Sequence, residues 1–215
     1  GVEVLAETTL GRLLFADATR INVMRLRREA AIPARMLLLG LPLAIAVGTG
    51  IGTALFDVPV SLVALIAAIL APTDAALGET VVTSPDVPMR IRQSLNVESG
   101  LNDGIALPAV TVFVALVAED EDFATPGSWV RFAFEQIGYG ALVGFVVGGL
   151  GGWVVREASR RGWMEGVYRQ LAVLGVAALA FAAATELQGN GFIATFLCGL
   201  TFGNLARAEC ESAAD

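Results

Sequence analysis

Four polar side chains interrupt an apolar segment near the middle of the chain: Glu98, Ser99, Asn102 and Asp103. If the segment is helical, at about 100° per residue they fall within roughly 140° of its circumference and share one face. Hard cations choose oxygen ligands. A carboxylate beside amide and hydroxyl oxygens therefore suits an alkali cation that must bind and then leave. Asp103 lies deeper in the segment and is the candidate carboxylate for binding such a cation. Glu98 is open to a different role, in which it pairs with an Arg on another helix.

The preceding apolar segment is interrupted at Ala71-Pro72-Thr73-Asp74. As a helix, its apolar half ends after about 18 Å at the 1.5 Å rise per residue, only part of the way across a bilayer. Pro72 removes a backbone donor, Thr73 can satisfy a freed carbonyl and Asp74 adds a carboxylate. Transporters use such discontinuous helices to expose backbone dipoles to an ion. A proline kink in a packed helix accounts for Pro72 but leaves Asp74 without a reason.

The available residue types restrict the chemistry further. The sequence has no His, and its 14 positive charges are all Arg. An imidazole metal site and a His proton relay are therefore excluded, and carboxylates must carry any proton chemistry. The two cysteines, Cys198 and Cys210, form no spaced metal motif, and a packed thiol is expected for Cys198 because it lies in an apolar run.

The elements that position these residues are predicted to be membrane-spanning helices. Hydrophobic residues make up 55% of the chain and charged residues 16%, against about 25% charged in soluble domains. A helix needs roughly 20 apolar residues to cross a bilayer. On that length we predict an all-α polytopic transmembrane helical bundle with about seven spans, near residues 2–19, 36–55, 59–82, 92–118, 131–155, 168–187 and 190–206.

The Arg residues predict how these spans are oriented, because cytoplasmic loops retain positive charge. Alternate loops carry the Arg residues, and the loop at 119–122 is instead acidic. The chain is therefore predicted to end in the cytoplasm. The Arg residues that decide this are Arg20, Arg25, Arg27, Arg28, Arg35, Arg90, Arg92, Arg156, Arg160, Arg161, Arg169 and Arg207.

The fifth predicted span has a glycine every fourth residue, at Gly140, Gly144, Gly148 and Gly152. These glycines fall on one helical face. Small residues at this spacing let helices approach closely in lipid. We therefore expect this face to pack against a neighbouring span, with a functional hinge as the alternative.

Four stretches make the chain recognisable: LLFADATRIN, APTDAALG, VPMRIRQSLNVESGLNDGIALP and GNGFIATFLCGLTFGN. Together they run through nearly the whole chain, and the third is highly specific. On these residues the chain resembles the sodium/proton exchanger family, in the branch of monovalent cation/proton antiporters that has an Asn-Asp rather than an Asp-Asp pair.

The resemblance implies a secondary transporter rather than an enzyme. Asp103 would alternately carry a cation (Na⁺, K⁺ or Li⁺) and a proton, and the residues expected to complete the ion site or its supporting network are Ser99, Asn102, Thr73, Asp74 and Glu98. No cofactor and no nucleic acid is expected. The protein would lie in the lipid bilayer of the plasma or inner membrane as a homodimer.

The resemblance also implies a partial inverted-repeat antiporter fold, in which a helical core and a dimerisation region move relative to each other. We expect the sequence to be part of a longer protein. Some two spans would precede Gly1, and the second half of the repeat, with an Arg that pairs with Glu98, would follow Asp215.

Two other functions remain open from the residues. An intramembrane aspartyl protease would use Asp74 and Asp103 as two acids that share a proton, although the Leu-Asn-Asp-Gly context of Asp103 argues against it. A non-transporting membrane sensor on the same fold is compatible with every residue named. Cation-dependent proton movement in vesicles distinguishes these functions from antiport.

Overall fold

The protein was described from a computed structural model, which covers residues 2–21, 23–24, 31–73, 80–81, 84–118, 125–163 and 166–212. Within these residues the chain is helical and no strand occurs. The described helices are α1 (Val2–Thr19), α2 (Ala31–Leu55), α3 (Val60–Leu70), α4 (Met89–Val117), α5 (Pro126–Arg160), α6 (Gly166–Glu186) and α7 (Gly191–Ser212).

The helix lengths and compositions confirm a transmembrane helical bundle. Among the described residues, α2, α4 and α5 are long and apolar enough to cross a bilayer. The apolar parts of α3, α6 and α7 are shorter, at 10–17 residues. That all seven predicted segments cross the membrane remains a prediction.

The chain divides into two compact units. The first consists of Gly1–Arg27 and Ile137–Asp215, and the second of Arg28–Gln136. In the first unit α7 packs against both α1 and α6. Phe15, Ala177, Ala180 and Cys198 form a buried cluster there, which confirms the expected packed position of the Cys198 thiol. The side chain of Cys210 lies outside the described part of the structure.

The glycine face of α5 packs against α7, as predicted. A Cβ on Gly140, Gly144 or Gly148 would lie 2.5–2.6 Å from the carbonyl oxygens of Asn190, Ala194 and Cys198 respectively. Real Cβ atoms do not approach backbone that closely. The two helices therefore touch backbone to backbone, and glycine is required at each of these positions.

In the second unit α3 packs against both α2 and α4. Helix α2 has a π-helical turn at Met36–Gly40, where the Leu41 N–H donates to the carbonyl of Met36. Pro42 follows directly. The wide turn is explained by Pro42, because a proline has no N–H and its ring clashes with the carbonyl four residues earlier in a regular helix.

Helix α3 ends at Leu70, and Ala71 and Pro72 form a bend that leads to Thr73. Pro72 cannot donate to the carbonyl of Ala68, so the α-helical hydrogen-bond ladder stops. Residues 74–79 lie outside the described structure, and with them Asp74. Thr73 itself lies beyond the end of α3 and contacts α4.

Candidate functional site

The end of α3 is held by the polar face of α4, and Thr73 is the centre of the contact. The Thr73 hydroxyl donates to both carboxylate oxygens of Glu98, at 3.1 and 3.2 Å. The carbonyl oxygen of Thr73 accepts from the Asn102 amide at 2.9 Å and from the Ser99 hydroxyl at 3.3 Å. Three successive polar positions of α4 thus bind one residue of the interrupted segment.

Asn102 is the most buried member of this group, with 1% of its surface exposed. Its amide nitrogen also lies 3.0 Å from the Thr73 hydroxyl and 3.5 Å from a Glu98 oxygen. Its amide oxygen accepts from the backbone N–H of Asp103 at 2.7 Å. Burial is tolerated because each polar atom of this amide has a hydrogen-bond partner.

Asp103 lies on the same face of α4, directly after Asn102, and is half-buried. Glu98 and Ser99 are also half-buried. The structure therefore brings Thr73, Glu98, Ser99 and Asn102 into hydrogen-bond contact and places Asp103 beside them. The remaining predicted site residue, Asp74, lies outside the described residues.

The hydrogen bonds limit which oxygens remain available to a cation. The Thr73 carbonyl oxygen has two lone pairs, and the two donors from Asn102 and Ser99 occupy both. The Ser99 hydroxyl oxygen donates its proton and keeps its lone pairs, and the Thr73 hydroxyl oxygen keeps one lone pair because it also accepts from the Asn102 amide. In this arrangement the neutral oxygens with lone pairs left for a cation are hydroxyl groups rather than the Thr73 carbonyl.

Two features of the site differ from the sequence expectation. Thr73 was expected to satisfy a carbonyl freed by Pro72; instead its own carbonyl is the group that α4 satisfies. Glu98 was open to pairing with an Arg, and its recorded partners among the described residues are Thr73 and Asn102. No local pattern indicates the contacts with Thr73, since these join residues 25 to 29 positions apart.

Pro108 was not among the predicted site residues, although it lies inside α4 one turn beyond Asp103. It has no N–H to donate to the carbonyl of Gly104, so the helical ladder has a missing rung next to the site. The helix nevertheless continues to Val117. The sequence shows this proline inside a predicted span, and that position was the signal from which the missing hydrogen bond could have been predicted.

Comparison with known proteins gives similarity along nearly the whole chain. The family described as sodium/hydrogen exchanger, transmembrane, matches residues 1–213. A K(+)/H(+) antiporter named NhaP2 from Shewanella sp. (strain ANA-3) is 30% identical over 142 residues, which is 65% of this chain and 24% of that protein.

Two further relatives cover more of the chain. An uncharacterized Na(+)/H(+) exchanger named YjcE from Escherichia coli (strain K12) is 30% identical over 195 residues, 88% of this chain and 34% of that protein. A Na(+)/H(+) antiporter named ApNhaP from Aphanothece halophytica is 26% identical over 208 residues, 94% of this chain and 38% of that protein. The chain thus spans about a quarter to two fifths of the length of these relatives.

Proposed function

We propose, on the premise that the chain belongs to the sodium/hydrogen exchanger family, that this protein exchanges a monovalent cation for protons across a membrane. The relatives are named as K(+)/H(+) and Na(+)/H(+) antiporters, so Na⁺ and K⁺ are the proposed cations. The observation that carries the proposal is the binding of Thr73 beside Asp103: Glu98 accepts from its hydroxyl, and Ser99 and Asn102 donate to its carbonyl.

In the proposed mechanism the Asp103 carboxylate binds either a cation or a proton. The hydroxyl oxygens of Ser99 and Thr73 supply neutral ligands, and Asp74 is proposed as a further ligand from the interrupted segment. Asn102 holds the Thr73 carbonyl in place, and Glu98 holds the Thr73 hydroxyl. An acidic residue within a membrane span is energetically unfavourable and is a functional candidate by default, which supports the assignment of Asp103.

The first experiment removes the charge at Asp103 in the protein at its full natural length. In vesicles that contain a pH-sensitive dye, Asp103→Asn is expected to abolish proton movement driven by Na⁺ or K⁺, at an unchanged amount of inserted protein. The control Glu157→Gln removes one carboxylate from a surface ion pair with Arg161 and should retain exchange. Exchange retained in Asp103→Asn would contradict the assignment.

A pH series tests whether the cation and the proton share this carboxylate. If they do, each pH unit below the midpoint of Asp103 protonation should raise the apparent cation half-saturation constant about tenfold, equivalent to about 1.36 kcal/mol. The maximal rate at saturating cation should change much less. An acid effect confined to the maximal rate would contradict a shared carboxylate. No cation-dependent proton movement in wild type would favour the sensor alternative.

We further propose a homodimer in the plasma or inner membrane, with residues 156–162 on the cytoplasmic side. The orientation follows from the Arg residues near the predicted span ends. Single cysteines at 125–130 should react with an impermeant reagent added outside intact cells, and cysteines at 156–162 should not. Labelling with the opposite sidedness would overturn the orientation.

A further inference from the structure

Helix α1 ends at Thr19 with a tightened turn. The N–H groups of Arg20 and Ile21 donate to the carbonyls of Asp17 and Ala18, at 3.1 Å each. These bonds reach back three residues instead of four, as is common where a helix stops. Ile21 is not helical, whereas Val23 and Met24 are helical again. The helical path is therefore interrupted over only a few residues.

The local sequence contains no residue that forces this interruption. No Gly and no Pro occurs between Thr19 and Ala31, and the nearest proline is Pro33. Leu, Met, Arg, Glu and Ala predominate from Met24 onward, and these residues favour a helix. Arg20 and Asn22 are residues typical of a helix end, and the first predicted span ends near residue 19, but nothing in the sequence forces the chain to break there.

The groups exposed by the interruption are bound by one side chain on α7. The Asn204 amide nitrogen donates to the carbonyl of Ile21 at 3.0 Å, and its amide oxygen accepts from the N–H of Val23 at 3.0 Å. The same nitrogen donates to the carbonyl of Leu200 on its own helix at 2.7 Å. These bonds use both N–H groups and the oxygen, so the orientation of the amide is determined.

Close packing of α7 on α1 makes this contact possible. A Cβ on Gly199 would lie 3.0 Å from the Cα of Phe15, and one on Gly203 would lie 2.7 Å from the Cα of Thr19. The helix backbones therefore touch for one turn before Asn204. Ile21 is then only 1% exposed, which keeps its carbonyl away from water and dependent on the Asn204 amide.

We propose that Asn204 is a latch that ends α1. It binds the carbonyl of Ile21 and the N–H of Val23, on either side of position 22, from a position 181 to 183 residues away. The interruption exists because α7 is docked, and without the amide α1 extends through residues 20–24.

The test compares three substitutions in the protein at its full natural length. Asn204→Asp preserves the shape but turns a carboxylate oxygen toward the carbonyls of Ile21 and Leu200. Asn204→Leu removes the hydrogen bonds without adding a charge, so it keeps the test available if the Asp variant does not accumulate. Thr201→Val is the control, because it removes one hydrogen bond of α7 that stays within the helix, to Leu197.

Spin labels at Thr9 and Met24, both exposed, report the interruption by pulsed electron paramagnetic resonance. Cys210 is replaced by Ala, and Cys198 is left in place because it is buried. In both Asn204 variants the distance distribution should shift toward the separation of one continuous helix, whose rise over this interval is about 22 Å. It should stay unchanged in Thr201→Val. A distribution in either Asn204 variant identical to that of the native protein would overturn the proposal.

Discussion

The α5–α7 contact and the α3–α4 contact bring helices together in opposite ways. In the first, side chains are absent: Gly140, Gly144 and Gly148 leave room for the backbone of α7. In the second, polar side chains of α4 bind the carbonyl of Thr73, which lies beyond the end of α3. Both contacts lie in a protein whose helices have little to gain from apolar burial, since lipid is as apolar as Leu.

The difference indicates which contact is suited to stability and which to function. Backbone packing leaves no hydrogen-bonding group to rearrange, and a glycine cannot be replaced without displacing a helix. The polar contact at Thr73 depends on hydrogen bonds that a cation or proton could alter. We therefore expect substitutions in the first contact to act on folding and substitutions in the second to act mainly on transport.

The largest effect is expected at Gly148. A Cβ there would lie 2.6 Å from the carbonyl oxygen and 2.8 Å from the Cα of Cys198, whereas one on Gly149 would meet nothing within 4 Å. Gly148→Ala should destabilise the protein by about 3 kcal/mol through overpacking. Gly149→Ala should stay within about 1 kcal/mol of wild type, on the stabilising side. Thermal unfolding in detergent measures both, and equal melting temperatures would refute the backbone contact.

An intermediate effect is expected at Asn102. Asn102→Leu keeps the branched shape of the side chain but removes the amide that binds Thr73, which should cost about 2 kcal/mol because buried polar groups lose a partner. Cation-driven proton movement should be lost while the protein remains inserted. The control is Gln93→Leu on the same helix, since Gln93 makes no hydrogen bond within the described part of the structure. Full transport by Asn102→Leu would show that the hold on Thr73 is dispensable.

The smallest effect on stability is expected at Ser99. Its bond to the Thr73 carbonyl is long, at 3.3 Å, so Ser99→Ala should change the unfolding free energy by no more than about 1 kcal/mol. The apparent cation half-saturation constant should rise several-fold, because a neutral ligand is lost while the charge stays. Ser128→Ala, which removes an exposed hydroxyl bonded to Thr125, is the control. A reduced maximal rate with unchanged half-saturation would contradict the ligand role.

The local features of the fold could be predicted from the sequence. The helices follow from long apolar runs, and the end of α3 follows from Pro72, because a missing N–H acts on its own turn. The common face of Glu98, Ser99, Asn102 and Asp103 follows from helical periodicity alone. The close packing of the α5 glycines also follows from their spacing, although the identity of the partner helix does not.

The partners of these groups required the tertiary structure. The Thr73 carbonyl binds residues 26 and 29 positions away, and the interruption after α1 depends on Asn204, more than 180 residues distant. A sequence indicates which groups a helix leaves unsatisfied, since that depends on neighbouring residues. It does not indicate which distant side chain satisfies them, since that depends on which helices pack together. For that reason composition and periodicity were sufficient to predict a membrane bundle with a polar face on α4 and a first span that ends near residue 19. Only the packed helices decided which groups that face and that helix end bind.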